Sequence, residues 1–161
     1  YLLHKKKIEN IVFDFYGYGE KLNYIKEYKF KNNLINLNLK GKVKKNNIYI
    51  LSKKYDLALS TITNSKVFQW GTNLNKIYEY FNSSMPVIFS GKVPFNPVLK
   101  AECGFVCSNF DYINFSKKII MFSKLNNNEK RKLSINAKSF FDTNYDIKFQ
   151  TKRLDIFLKS I

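Results

Sequence analysis

The stretch Gly71-Thr-Asn-Leu-Asn-Lys-Ile-Tyr-Glu-Tyr-Phe-Asn-Ser-Ser-Met-Pro-Val-Ile88 places a glycine turn, a helix and the start of a strand side by side. Leu74, Ile77, Tyr78 and Phe81 recur at helical spacing, so residues 73–83 read as an amphipathic helix with one apolar stripe. The pattern then switches to a continuous apolar run, Met85-Pro-Val-Ile-Phe-Ser90. Such a run is the mark of a strand buried on both faces. Pro86 stands near the strand start, where a missing N–H is tolerated. A helix feeding a fully apolar strand is half of a βαβ unit.

The same rhythm extends in both directions. Ile11-Val-Phe-Asp-Phe-Tyr16 reads as a strand stopped by Gly17-Tyr18-Gly19, and Leu22, Ile25 and Tyr28 give the helix after it. Residues 34–39 alternate apolar side chains with Asn and run into Lys40-Gly41-Lys42-Val43, a second strand ending in a glycine turn. Ile48, Leu51 and Tyr55 predict a short helix, Asp56-Leu-Ala-Leu-Ser60 a third strand, and residues 61–71 a loop. After the strand of residues 85–90 come a loop over 91–97, a strand over Gly104-Phe-Val-Cys107, and helices at about 112–125, 128–142 and 147–159. No repeat or linker divides the chain. Strands separated by helices predict a parallel sheet covered on both faces: a single Rossmann-like, doubly wound α/β domain over residues 1–161, with C-terminal helices. Ligands in such sheets bind beyond the carboxyl ends of the strands, which selects residues 17–19, 41–43, 61–71 and 91–96.

Composition narrows the class. With 161 residues and 45% hydrophobic side chains, the chain can bury a core. No apolar run is long enough to span a bilayer. The formal charge of +16 favours polyanions, but Arg131 and Arg153 are the only arginines. Sequence-specific nucleic-acid readers lean on the planar arginine fork, so nucleic acid is disfavoured. A general bias toward Lys and Asn explains the charge best, with attraction to an anionic membrane surface as the second reading. Cys103 and Cys107, without further Cys or His nearby, make a poor metal site and read as reduced, buried thiols, as in a cytoplasmic protein. No metal and no cofactor are expected.

Residues 71–79 have the chemistry of an anion site. A helix start offers unpaired N–H groups and partial positive charge. Gly71 permits close approach, Thr72 and Asn73 cap the helix or donate to oxygens, and Lys76 adds a full charge. Glu79, about one turn on, can accept both hydroxyls of a ribose. The plain alternative is an ordinary capped helix packed on the sheet.

The stretch G-T-N-L-N-K-I-Y-E-Y-F-N-S-S-M-P-V-I resembles a signature of family-four glycosyltransferases of the GT-B architecture. F-D-F-Y-G-Y-G-E, N-L-N-L-K-G-K-V, K-Y-D-L-A-L-S and N-P-V-L-K-A-E-C-G-F-V-C are similar to its other landmarks, in the same order. The likeness covers about residues 11–111 closely and the terminal helices loosely. It implies the C-terminal, donor-binding half of a two-domain enzyme, with the half's first strand and the acceptor domain lying before Tyr1. Glu79 would bind the ribose, and the backbone around Thr72, Asn73, Leu74 and Asn75, with Gly71 and Lys76, the diphosphate. Gly17, Tyr18, Gly41 and Val43 would surround the base.

The resemblance further implies a metal-independent, retaining hexosyltransferase using a UDP- or GDP-sugar. Its acceptor would be a cell-envelope glycan or lipid-linked saccharide in polysaccharide biosynthesis, at the inner face of the membrane. Many members carry a second carboxylate where this chain has Gly71, which leaves the sugar open. No catalytic residue is assigned, and the chain alone is expected to be inactive. The rival functions are a basic nucleic-acid-binding α/β module and another nucleotide-sugar enzyme such as an epimerase. The latter needs a histidine in the cleft, and His4, the sole one, is poorly placed. Trp70 is expected to pack at the base of its loop, Asp14 and Asp56 to be structural, and Glu102 to be a surface carboxylate.

Overall fold

The computed structural model describes residues 1–5, 8, 10–70, 74–108 and 111–160. It divides into two compact units, Tyr1–Ile48 and Tyr49–Ile161. Every strand pairing is parallel, as the alternation of strand and helix predicts.

The first unit contains α1 (Leu2–Lys5), β1 (Phe13–Tyr16), α2 (Leu22–Lys31), β2 (Leu37–Gly41) and a 3-10 turn at Lys45–Asn47. Phe13, Asp14 and Phe15 pair with Leu37, Asn38 and Leu39, after which the register slips so that Tyr16 faces Gly41. Gly41 has φ +75°, which only glycine adopts without strain, and it closes the strand there. Asn33, at φ +48°, ends α2 in a left-handed turn, and the Leu34 N–H reaches back to the Lys29 carbonyl while the Leu34 side chain is buried. That turn occupies residues 33–36, so β2 starts at Leu37, later than the alternating pattern predicts. The apolar core is thin: Leu3 and Leu34 are its buried hydrophobic residues among those described.

The short helix α3 (Ile48–Ser52) leads into the second unit, which holds β3 (Ala58–Thr61), α4 (Asn75–Asn82), β4 (Val87–Ser90), α5 (Pro97–Lys100) and β5 (Gly104–Cys107). The helices α6 (Tyr112–Ser123), α7 (Asn127–Asn144) and α8 (Ile147–Leu158) follow. The sheet runs β3-β4-β5, and all four residues of the central β4 are buried. This is why residues 87–90 read as a continuous apolar run instead of an alternating one.

Ile77 and Phe81 of α4 pack under the sheet with Val87, Phe89, Val98, Cys103 and Ala137. Phe81 is fully buried, edge-on to Tyr78 and to Phe140 of α7. Burying such a side chain contributes about 1.5–3 kcal/mol. Tyr78 stacks on Tyr145 with ring centres 3.9 Å apart and donates to its hydroxyl at 3.1 Å. Burial and that partner push the Tyr78 hydroxyl pKa far up.

Gly104 is fixed by contact: a Cβ there would lie 1.8 Å from the Val87 carbonyl oxygen of the neighbouring strand. In α8 every residue except Gln150 is exposed, and Gln150 Nε2 donates to the Asn144 carbonyl.

Three elements depart from the sequence reading. Helix α5 stands at the end of the predicted 91–97 loop, started by Asn96, whose Oδ1 accepts from the Val98 and Leu99 N–H groups, and by Pro97. A 3-10 turn at Lys66–Trp70 interrupts the predicted 61–71 loop, and α1 was not anticipated.

Candidate functional site

In the first unit the structure brings together the predicted residues at the ends of β1 and β2. The Gly17 N–H donates to the Gly41 carbonyl at 2.9 Å, tying the two strand-end turns to each other. Tyr18 projects from its turn, 74% exposed. The Lys42 ammonium, next to Gly41, lies 4.7 Å from the centre of the Tyr18 ring. Val43 follows, half-buried. Lys42 lies inside the 41–43 turn selected from the sequence, which assigns it no role of its own. Its signal was a lysine one residue past a strand-end glycine.

Asp14 is held within β1–β2, as expected of a structural residue. Its carboxylate accepts from Asn38 Nδ2 at 2.8 Å and lies 3.5 Å from the Lys40 ammonium. Asn38 and Lys40 alternate with Leu37 and Leu39, so they share one face of β2 and reach the same carboxylate.

In the second unit Leu74, Asn75, Lys76 and Glu79 form the opening turns of α4, while Gly71, Thr72 and Asn73 lie outside the described residues. Leu74 occupies the N-cap position and supplies no side-chain cap. Asn75 and Lys76 are exposed and Glu79 is half-buried. No ion pair joins Glu79 to another described residue, and its carboxylate raises the Tyr80 hydroxyl pKa, though less than burial does.

The helix starts differ in a consistent way. α5, α6, α7 and α8 are each capped by a side chain, from Asn96, Asp111, Asn126 and Asp146. α2 and α4, which open on the two turns singled out for ligand binding, have no side-chain cap. At these starts the Leu22 N–H donates to the Gly19 carbonyl and the Ile77 N–H to the Leu74 carbonyl, and the remaining first-turn N–H groups have no side-chain cap among the described residues.

The other named residues are placed as follows. Trp70 does not pack at the base of its loop: it is 86% exposed, since the 3-10 turn carries the ring outward. Glu102, at φ +48°, and Asp56 are exposed. Cys103 and Cys107 are free and buried, and burial pushes the Cys103 thiol up to about 12. Among the described residues no three His, Cys, Asp or Glu gather into a metal-holding group. No described helix is long and apolar enough to cross a membrane. Two shallow grooves, one along α2 and Ile35, the other along α7 and Ser84, contain none of the residues selected from the sequence.

No protein-family model and no curated protein matches this chain. Its fold is nonetheless found in solved structures. A point mutant of S. aureus TarM, crystallised with fondaparinux, alpha-GlcNAc-glycerol and UDP, aligns with a TM-score of 0.74 at 20% identity, over 96% of this chain and 30% of that one. A second crystal structure of TarM aligns with a TM-score of 0.69 at 19% identity, over the same shares. The chain thus spans about three-tenths of the length of these neighbours. At this identity the likeness establishes the α/β fold, with parallel sheets and packed helices like those of a GT-B domain.

Proposed function

We propose that this chain is the nucleotide-sugar-binding part of a glycosyltransferase. The observation that carries the reading is the contrast in helix starts: four helices are capped by side chains, and the two on the selected turns have no side-chain cap among the described residues. An open helix start places N–H dipoles where a phosphate can take them, and this also suits a diphosphate leaving group in the transition state. The fold shared with TarM, which has been crystallised with UDP, supports the same reading.

In this proposal Glu79 accepts the ribose hydroxyls. The start of α4, with Gly71, Thr72, Asn73, Leu74, Asn75 and Lys76, holds the diphosphate. Gly17, Tyr18, Gly41 and Val43 line the base. The donor is a UDP- or GDP-sugar, and transfer is retaining and needs no metal. The acceptor is a cell-envelope glycan or lipid-linked saccharide, and a separate acceptor domain completes the enzyme. The lysine-rich surface would assist docking at an anionic cytoplasmic membrane face, at about 1 kcal/mol per well-placed lysine.

Thermal melting with UDP, GDP, their sugar conjugates and a short RNA tests the reading. A nucleotide at about a hundred times its dissociation constant should add about 2.7 kcal/mol of stability. Glu79→Ala should weaken that nucleotide by roughly 2 kcal/mol, the worth of hydrogen bonds to a charged group. A salt-sensitive shift with RNA, and none with any nucleotide, would sink the proposal in favour of a nucleic-acid module.

A further inference from the structure

We infer that Lys42, poised over Tyr18, selects a nucleobase with a carbonyl oxygen at the pyrimidine 4-position or the purine 6-position, uracil or guanine, over one with an amino group there, cytosine or adenine. The inference rests on the donor-binding reading and adds a specificity residue to it. Three observations within the first unit carry it. Tyr18 stands between two glycines and is 74% exposed, an aromatic face held out in solvent at the carboxyl end of β1. The hydrogen bond from Gly17 to the Gly41 carbonyl, 2.9 Å, fixes the Tyr18 turn to the turn that bears Lys42. The Lys42 ammonium is then 4.7 Å from the ring centre, and none of the ion pairs among the described residues engages it.

The chemistry follows from the groups. A flat base that stacks on Tyr18 displaces the Lys42 ammonium, on its flexible stem, from over the ring to the base edge. The stacking itself is indifferent to base identity, so Tyr18 alone gives affinity without choice. An ammonium has three donors and no acceptor. It rewards the O4 of uracil or the O6 of guanine. It has nothing to offer the N4 amino group of cytosine or the N6 amino group of adenine, which would have to leave water unpaired. A site that hydrogen-bonds one group rejects the analogue lacking it, because a polar group is then left without a partner.

The test is calorimetric titration of the chain with UDP, CDP, GDP and ADP, repeated for Lys42→Met, Lys42→Arg and Tyr18→Leu. Lys42 is exposed, and circular dichroism checks that the variants fold. The native chain should prefer UDP over CDP, and GDP over ADP, by about tenfold, the worth of one good polar contact. Lys42→Met should bring both ratios close to one, and Lys42→Arg, which keeps a donor-only cation, should restore them. Tyr18→Leu should weaken every nucleotide by a similar factor. Binding without base preference, or a preference that survives in Lys42→Met, overturns the inference and leaves the donor-binding reading intact. If none of the four nucleotides binds, that reading falls and this inference with it.

Discussion

β4 and β1 are both short parallel strands of four residues, yet they are held by different forces. In β4 all four side chains are buried, and Val87, Ile88 and Phe89 have no solvent exposure. In β1 no residue is fully buried, Phe15 is 48% exposed, and the interior of its pairing with β2 is a polar group, Asp14 with Asn38 and Lys40. The first arrangement rests on burial of apolar area, which is large and non-directional. The second rests on a few directional contacts of about 1 kcal/mol each. A pairing held in that way opens more readily, so β1 and β2 should exchange their amide protons faster than β4.

The sharpest way to break the comparison is at the crowded side. Gly104→Ala places a methyl group 1.8 Å from the Val87 carbonyl, and neither atom can yield without separating β5 from β4. Overpacking against backbone should destabilise the second unit by at least about 3 kcal/mol, read by urea unfolding. Amide exchange in β1 and β2 gives the internal reference. Gly104→Ala within 1 kcal/mol of the native chain would show that the strands slide freely, and the contrast drawn above would be lost.

A smaller effect is expected on the polar side. Asp14→Ala leaves Asn38 Nδ2 without its 2.8 Å acceptor and Lys40 without its carboxylate. The loss should be about 1–2 kcal/mol, confined to faster exchange in residues 13–16 and 37–41. Slower exchange, or a loss shared by β4, would mean that Asp14 is not what holds the pair.

The two regions also differ in how much of them the sequence discloses. Strand β4, helix α4 and the stripe Leu74, Ile77, Tyr78 and Phe81 follow from periodicity, because burial writes a repeating apolar pattern. The buried thiols follow from the lack of metal partners. Helix α5 is marked by Asn96-Pro97, a cap followed by a first-turn proline, but two earlier signals, Gly91 and Pro94, make the segment look like loop. Trp70 misleads because a large aromatic ring is expected inside, and nothing local announces a 3-10 turn that turns it out. The turns that carry Tyr18 and Lys42 are both marked by strand-end glycines, but the contact of the two side chains is not legible: they are far apart in sequence, and only the pairing of β1 with β2 brings them together. At the candidate site, then, the glycine turns and the acid on α4 are local signals, whereas the proposed base selection depends on a contact between strands.

The finest distinction between the units is in their response to alkali. The only cysteines, Cys103 and Cys107, lie in the second unit and both are buried. Burial holds the Cys103 thiol neutral until about 12, against an ordinary value of 9.0, and raises Cys107 as well. In the unfolded chain both thiols ionise freely near their ordinary value. Above it the unfolded state binds fewer protons than the folded one, so stability falls as pH rises from about 9 towards 12. Below it both states keep the proton and the thiols contribute no slope. Tyr78 and Tyr80 add to the fall with the same sign, mainly from their ordinary value of 10.0 upward. Urea unfolding between about pH 8 and about pH 10 therefore isolates the thiols, with a slope of at most about 1.4 kcal/mol per pH unit for each. Cys103→Ala should lower stability at every pH in that window yet flatten the curve. A parallel curve of unchanged slope would mean that the Cys103 thiol reaches water in the native protein, and that the packing around β4 and β5 is looser than its burial implies.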